Sequence, residues 1–164
     1  HIALDLAARH PAHVARLVTL TSGRISAASR VLFHDMARLY FTMAPQDWFR
    51  LLYQWLFSEP FFMDEANVAA AAEGSTSYAH RQSPGDFARQ VAAIDRAGAL
   101  DLASIRVPTL AVAAELDLLA PAKAVRAMHA GIADVRFVTI EGAAHSIHWE
   151  KQAETAAVIT EFLG

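Results

Sequence analysis

Two side chains stand where chemistry could be done, Asp117 and His145. Each follows an apolar run. Residues 109–114 lead to Asp117, and residues 135–140 lead to the loop that ends in His145. A carboxylate beside an imidazole can accept its Nδ1–H and fix the tautomer. It then stabilises the imidazolium formed when Nε2 takes a proton from a nucleophile. An acid followed by a histidine, each at the end of a strand-like run, is the second half of a nucleophile–acid–histidine triad. The first member has no elbow here. The strand-to-helix elbow G-x-S-x-G that would present a serine occurs nowhere in the 164 residues.

Other residues compete less well for these roles. Glu115 lies two positions before Asp117 and is an alternative acid. His148 lies three positions after His145, where the closing helix is expected to begin, and reads as a lining or capping residue. His145 and His148 have metal-ligand spacing, but no third ligand accompanies them in a convincing context, so neither a metal nor a cofactor is expected. Ser22 follows a strand-like run but lacks the leading glycine and tight turn of an elbow. Leu118 beside the acid and Ser146 beside the histidine are read as pocket residues that would touch substrate. His10 and His13 flank a proline turn and read as surface residues. His34 and His80 have no partner visible in the sequence.

The elements that must position Asp117 and His145 follow from the hydrophobic pattern. Residues 1–9 read as a helix that is apolar on nearly every side, ended by His10 and Pro11. Residues 14–20 read as a strand buried on both faces. From residue 24 to 98 strand runs vanish and helical spacing takes over. Most of the aromatic residues fall in this stretch, from Phe33 to Phe87. It reads as a helical insertion of three to five short helices, with breaks near Pro45, Pro60, residues 74–77 and residues 83–85. After Leu102 the α/β rhythm returns. Residues 109–114 form a strand, 121–128 a helix opened by Pro121, and 135–140 a strand. Residues 149–162 form the closing helix, with Ala153, Ala156, Val158, Ile159 and Phe162 as its apolar stripe. Strands alternating with helices over short connections imply a parallel sheet. Two adjacent parallel strands joined by one helix would bring the loops of Asp117 and His145 to the same edge, where open sheets place their functional groups. The division is thus 1–23 core, 24–98 insertion, 99–164 core.

Bulk properties narrow the class. Seventeen acids against fourteen bases give a net charge of −3, which offers no polyanion-binding surface, so nucleic acid is not an expected partner. A hydrophobic fraction of 54% and a mean hydropathy of +0.24 suit a globular chain with much to bury. No apolar run reaches the ~20 residues of a membrane span. The chain has no cysteine. That excludes disulfides and thiolate metal sites and suits a reducing, cytoplasmic setting. The opening residues carry neither a methionine nor the features of a signal peptide, and the first helix begins uncapped, so the start reads as an internal cut.

At these residues the chain resembles the α/β-hydrolase superfamily, in particular its small cap-bearing esterases and lactonases. Residues 1–18 resemble the helix and strand that follow the family's nucleophile elbow. Residues 105–121 are similar to its acid segment, and residues 141–150 to its histidine loop, where a glutamate commonly follows a few positions on. Residues 87–94 look like the end of a cap in enol-lactonase-like members. The resemblance implies the C-terminal part of an α/β-hydrolase parallel sheet with a helical cap, residues 24–98, roofing the pocket. Asp117 and His145 would be catalytic. The serine, the oxyanion donors and the early strands would lie in an N-terminal segment upstream of His1, the expected partner of this chain. The expected reaction is hydrolysis of a small, apolar carboxylic ester or lactone by the complete protein, with no activity in these residues alone. Acyl transfer, perhydrolysis, C–C hydrolysis, dehalogenation and non-enzymatic ligand reception use the same scaffold and stay open.

Overall fold

A computed structural model describes residues 1–164. The chain divides into two compact units, His1–Arg24 with Ala99–Gly164, and Ile25–Gly98. In the first unit three parallel strands lie in the order β1 (Leu17–Leu20), β2 (Thr109–Ala114), β3 (Val135–Ile140). Leu17 aligns with Thr109, and Thr109 with Val135. All six residues of the middle strand are buried, as expected of a parallel strand covered on both faces. Its side chains alternate. Leu110, Val112 and Ala114 pack with Ile140, Ala143 and Ile147, while Ala111 and Ala113 pack with Ala120 and Val125. Each large aliphatic side chain removed from water here contributes about 1.5–3 kcal/mol.

Helix α1 (Ile2–Arg9) buries Leu4 and Ala7 against Leu17, Ile105 and Ile132. The helix is apolar on nearly every side but is not buried on every side. Ile2 and Leu6 sit on the opposite side and are exposed, because positions 4 and 7 share one helix face and positions 2 and 6 another. The strand expected from residue 14 begins at Leu17. Pro11 opens a 3₁₀ turn over Pro11–His13, and pairing starts only where the Leu17 N–H reaches the Pro108 carbonyl at 2.9 Å. The β1 side chains alternate between buried and half-buried.

The closing helix also differs from expectation. The first turn is a separate short helix, numbered α8 in chain order (Ile147–Glu150), and Lys151 leaves helical geometry at φ −134°, ψ 56° before α9 (Gln152–Leu163). The inward face of α9 is Thr155, Val158 and Phe162, while Ala153 and Ala156 are exposed. Thr155 takes an inward place because its hydroxyl reaches the Ile147 carbonyl at 3.3 Å.

The second unit holds five helices, α2 (Ala27–Leu39), α3 (Pro45–Leu56), α4 (Glu59–Phe62), α5 (Glu65–Ser77) and α6 (Pro84–Arg96). Their starts are written locally. Ser26 and Asp64 accept N-terminal amides, and Ser83 with Asp86 forms a capping box. The break expected at residues 74–77 falls at the end of that stretch, since α5 runs through Gly74 to Ser77. The aromatics form this unit's own core. Tyr40 stacks on Trp48 at 3.9 Å, and the Trp48 indole N–H donates to the Met36 carbonyl at 2.8 Å. His34, without a visible partner in the sequence, pairs with Asp95 at 2.8 Å. His80 meets the Tyr78 ring edge-on. Both partners were hidden from the sequence because packing, not chain neighbourhood, made the first, and an irregular turn the second. No helix is long and apolar enough to cross a membrane.

Candidate active site

Strand β2 ends at Ala114, and the loop after it bends at Asp117. The carboxylate Oδ1 accepts the amides of Leu119 at 2.8 Å and Ala120 at 2.9 Å, the local turn an aspartate makes with the backbone ahead of it. The other oxygen, Oδ2, accepts from Nδ1 of His145 at 2.9 Å. The Asp117 side chain is fully buried, and the His145 side chain keeps 30% of its surface open. A buried carboxylate needs partners for its lone pairs, and three donors meet them here. Because an ionised carboxylate only accepts, Nδ1 carries the proton and Nε2 is the accepting nitrogen. A partly open, oriented imidazole backed by a buried acid can take a proton from a hydroxyl and return it to a leaving group.

Neighbouring strands make this meeting possible. β2 and β3 are parallel and paired along their length, and α7 (Ala122–His129) connects them. Both following loops therefore open at the same edge. The loops are also tied to each other, since the Leu116 N–H donates to the Ala143 carbonyl at 2.9 Å.

Two further carboxylates hold the histidine loop. Glu115 Oε2 accepts the Gly142 amide at 2.8 Å, and Glu150 Oε2 accepts the Ala144 amide at 2.8 Å. Gly142 turns at φ +63°, a conformation that a side chain would strain. Glu115 is thus engaged with the backbone of this turn, while the ring of His145 is engaged with Asp117. His148 stands exposed on α8. Ser146 is buried, and its carbonyl receives the amides of Trp149 and Glu150. Leu118 is 60% exposed beside the buried acid, and Leu116 is exposed on its other side. Ser22 is half-buried in the loop after β1. No group of three or more His, Asp or Glu is placed to hold a metal ion.

Three further residues shape this region with little or no mark in the sequence. His129 is completely buried. Its Nδ1 bonds to the Val125 carbonyl at 2.9 Å and its Nε2 to the Thr19 hydroxyl at 3.0 Å. With Nδ1–H donating to the carbonyl, Nε2 accepts the threonine proton, so the neutral ring is fully satisfied. Burial holds its pKa below the ordinary histidine value, against the opposing pull of the Val125 bond. The available signal was the four-residue spacing from Val125, which puts both on one inward face. Thr21 is buried at φ +47°, a strained setting for a β-branched residue that costs about 1–3 kcal/mol; nothing in the sequence marks it. Gly23 follows it, also buried.

The α/β hydrolase fold family model matches residues 1–152. The chain belongs to the α/β hydrolase fold family. It is 29% identical over 153 residues to RutD of Escherichia coli O157:H7, which carries the name of a carbamate hydrolase. That match covers 88% of this chain and 55% of RutD, so the chain spans about half the length of the curated relative. Among solved structures it is similar to an enol-lactonase from Burkholderia xenovorans LB400, with a TM-score of 0.83 and 23% identity, over 98% of this chain and 60% of that one. It is also similar to a thermophilic esterase from Thermogutta terrifontis, with a TM-score of 0.77 and 21% identity, over 99% and 60% of the two chains. At these identities the structures speak for the fold.

Proposed function

We propose that these residues supply the acid and base of a serine hydrolase acting on a small carboxylic ester or lactone. The carrying observation is the 2.9 Å bond from His145 Nδ1 to the fully buried Asp117. In the proposed reaction a serine hydroxyl gives its proton to His145 Nε2 as its oxygen bonds to the acyl carbon. Asp117 stabilises the resulting imidazolium. The ring then returns the proton to the leaving alkoxide, and an acyl-enzyme forms. Water, deprotonated by the same nitrogen, releases the acid and restores the serine. Exposed Leu116 and Leu118 flank the buried acid and suit an apolar acyl or alkyl group; Leu118 is the proposed substrate contact, with Ser146 beside the base.

The nucleophile and the oxyanion donors are proposed to lie in a segment N-terminal to residue 1. Three observations support this reading. No G-x-S-x-G elbow occurs in the sequence. β1 has a strand neighbour on one side only. Ile2 and Leu6 present an exposed apolar face on α1, a surface that an upstream element could cover.

The test is turnover of p-nitrophenyl acetate, a γ-lactone and a simple alkyl carbamate by the complete protein, with and without His145→Ala. The proposal expects ester or lactone turnover that disappears in the variant. Turnover of the carbamate alone would replace the substrate class. Undiminished ester turnover in the variant would remove His145 from the mechanism.

A further inference from the structure

We propose that Gly23 is a positioning residue for the catalytic acid, because a bare backbone there is what lets the Asp117 loop close. The inference rests on the proposed Asp117–His145 pair. A Cβ at position 23 would lie 3.2 Å from the Ala120 Cβ, 3.3 Å from the Val125 nitrogen and 3.4 Å from the Ala124 carbonyl carbon. Ala120 is one of the two residues whose amides fix Asp117 Oδ1, at 2.9 Å. The segment after β1 is therefore in close contact with the turn that aims the carboxylate.

Something must give if a side chain is added, and the structure decides what. The first turn of α7 is held by amide bonds from Ala124 and Val125 to the Pro121 carbonyl, at 2.7 and 3.1 Å. The far end of α7 is tied to β1 through His129 and Thr19 at 3.0 Å. On the other side, Thr21 is buried in its left-handed conformation, with its N–H on the Val112 carbonyl at 2.8 Å. Ala120 sits in the loop between these fixed parts. Ala120 packs against Ala111, Ala113 and Val125, and in the proposal it is this residue that yields, carrying its amide away from Asp117. The carboxylate then turns, and its other oxygen leaves the line of the His145 N–H.

The experiment compares Gly23→Ala, Ala120→Gly and the double variant in the complete protein. The readouts are kcat and KM for an activated ester, the thermal midpoint, and the low-field proton NMR signal of His145 Nδ1–H. A displacement of a few tenths of an ångström is expected to lower kcat about tenfold, less than the ~100-fold that a 1 Å misplacement can cause. KM should stay near wild type, the thermal midpoint should fall by a few degrees because a buried contact is crowded, and the Nδ1–H signal should shift or broaden. Ala120→Gly removes the opposing Cβ, so the double variant should recover both kcat and the signal. Wild-type kcat in Gly23→Ala, a kcat loss with an unchanged proton signal, or no recovery in the double variant would each overturn the proposal. If Gly23→Ala does not fold, Ala120→Val introduces the same overlap from the other side and is read in the same way. Failure of both to fold also overturns it, since the contact then serves the fold and not the carboxylate. Should His145→Ala stay fully active, the catalytic reading itself fails. Should it be inactive while Gly23→Ala behaves as wild type, only the role of Gly23 fails.

Discussion

The loop that carries Asp117 and the loop that carries His145 are held by opposite means. The acid is fixed by its own backbone, two amides a few residues ahead, and is sealed from solvent. The histidine loop is fixed from outside, by carboxylates of Glu115 and Glu150 that reach its amides, and its ring stays 30% open. The difference suits the two tasks proposed for these residues. A group that only orients and stabilises charge gains from burial and rigid dipoles. A group that must exchange protons needs a fixed axis and one reachable nitrogen. The lesson is that the two members of the proposed pair are held by different kinds of anchor, even though their loops are tied through Leu116 and Ala143 and through Glu115 and Gly142.

The largest effect should come from the acid. Asp117→Asn keeps the size but can present an N–H to Nδ1, favouring the wrong tautomer. A loss of about four orders of magnitude in kcat is expected, as for the equivalent change in a well-studied triad, with circular dichroism unchanged. A loss below tenfold would mean that the acid does not orient the ring. Next comes the outside support of the histidine loop. Glu150→Ala leaves the partly buried Ala144 amide without its carboxylate, a cost of about 1–3 kcal/mol, and should lower kcat roughly tenfold while Asp117 keeps its backbone bonds. Equal damage from Glu115→Gln and Glu150→Ala would contradict the burial difference, because the Gly142–Glu115 bond is solvent-exposed and the Ala144–Glu150 bond is part-buried. Glu115→Gln is therefore expected to have the smaller effect in steady-state assays.

The smallest effect concerns the layer beneath the acid loop. Burial lowers the His129 pKa in the folded state, so as pH falls below about 6.5 the unfolded chain takes up a proton that the folded chain refuses. Stability then drops with falling pH, at up to about 1.4 kcal/mol per pH unit from this group, until the folded pKa is reached. Above the ordinary value the group contributes no slope. His129→Gln should flatten that part of the stability profile relative to wild type in chemical denaturation between pH 7 and pH 5. An identical slope in the two proteins would show that His129 is not the group responsible.

Much of this arrangement was legible from residue types. The run at positions 109–114 reads as a buried strand because it is unbroken by charge, and all six residues are buried. Asp117 and His145 stood out because each follows such a run, and neighbouring parallel strands turn that sequence pattern into a 2.9 Å contact. The start of β1 was not legible, because the turn at Pro11–His13 delays pairing to Leu17 without changing the apolar character of residue 14. Nor was the break at Lys151, a charged residue that fits a helix as well as a hinge. The roles of Glu115 and Glu150 depend on which backbone amides face them, and that is decided by tertiary packing. Gly23 carries no signal at all in the sequence, since its meaning lies in what a missing Cβ lets approach.

The central claim is that His145, oriented by Asp117, activates a serine outside these 164 residues. The most direct test is reaction of the complete protein with a fluorophosphonate, followed by peptide mass spectrometry. The account predicts a single phosphonylated serine upstream of residue 1, with labelling abolished by His145→Ala and strongly slowed by Asp117→Asn. Labelling at a residue within this chain, or at an unchanged rate in the His145 variant, would contradict it.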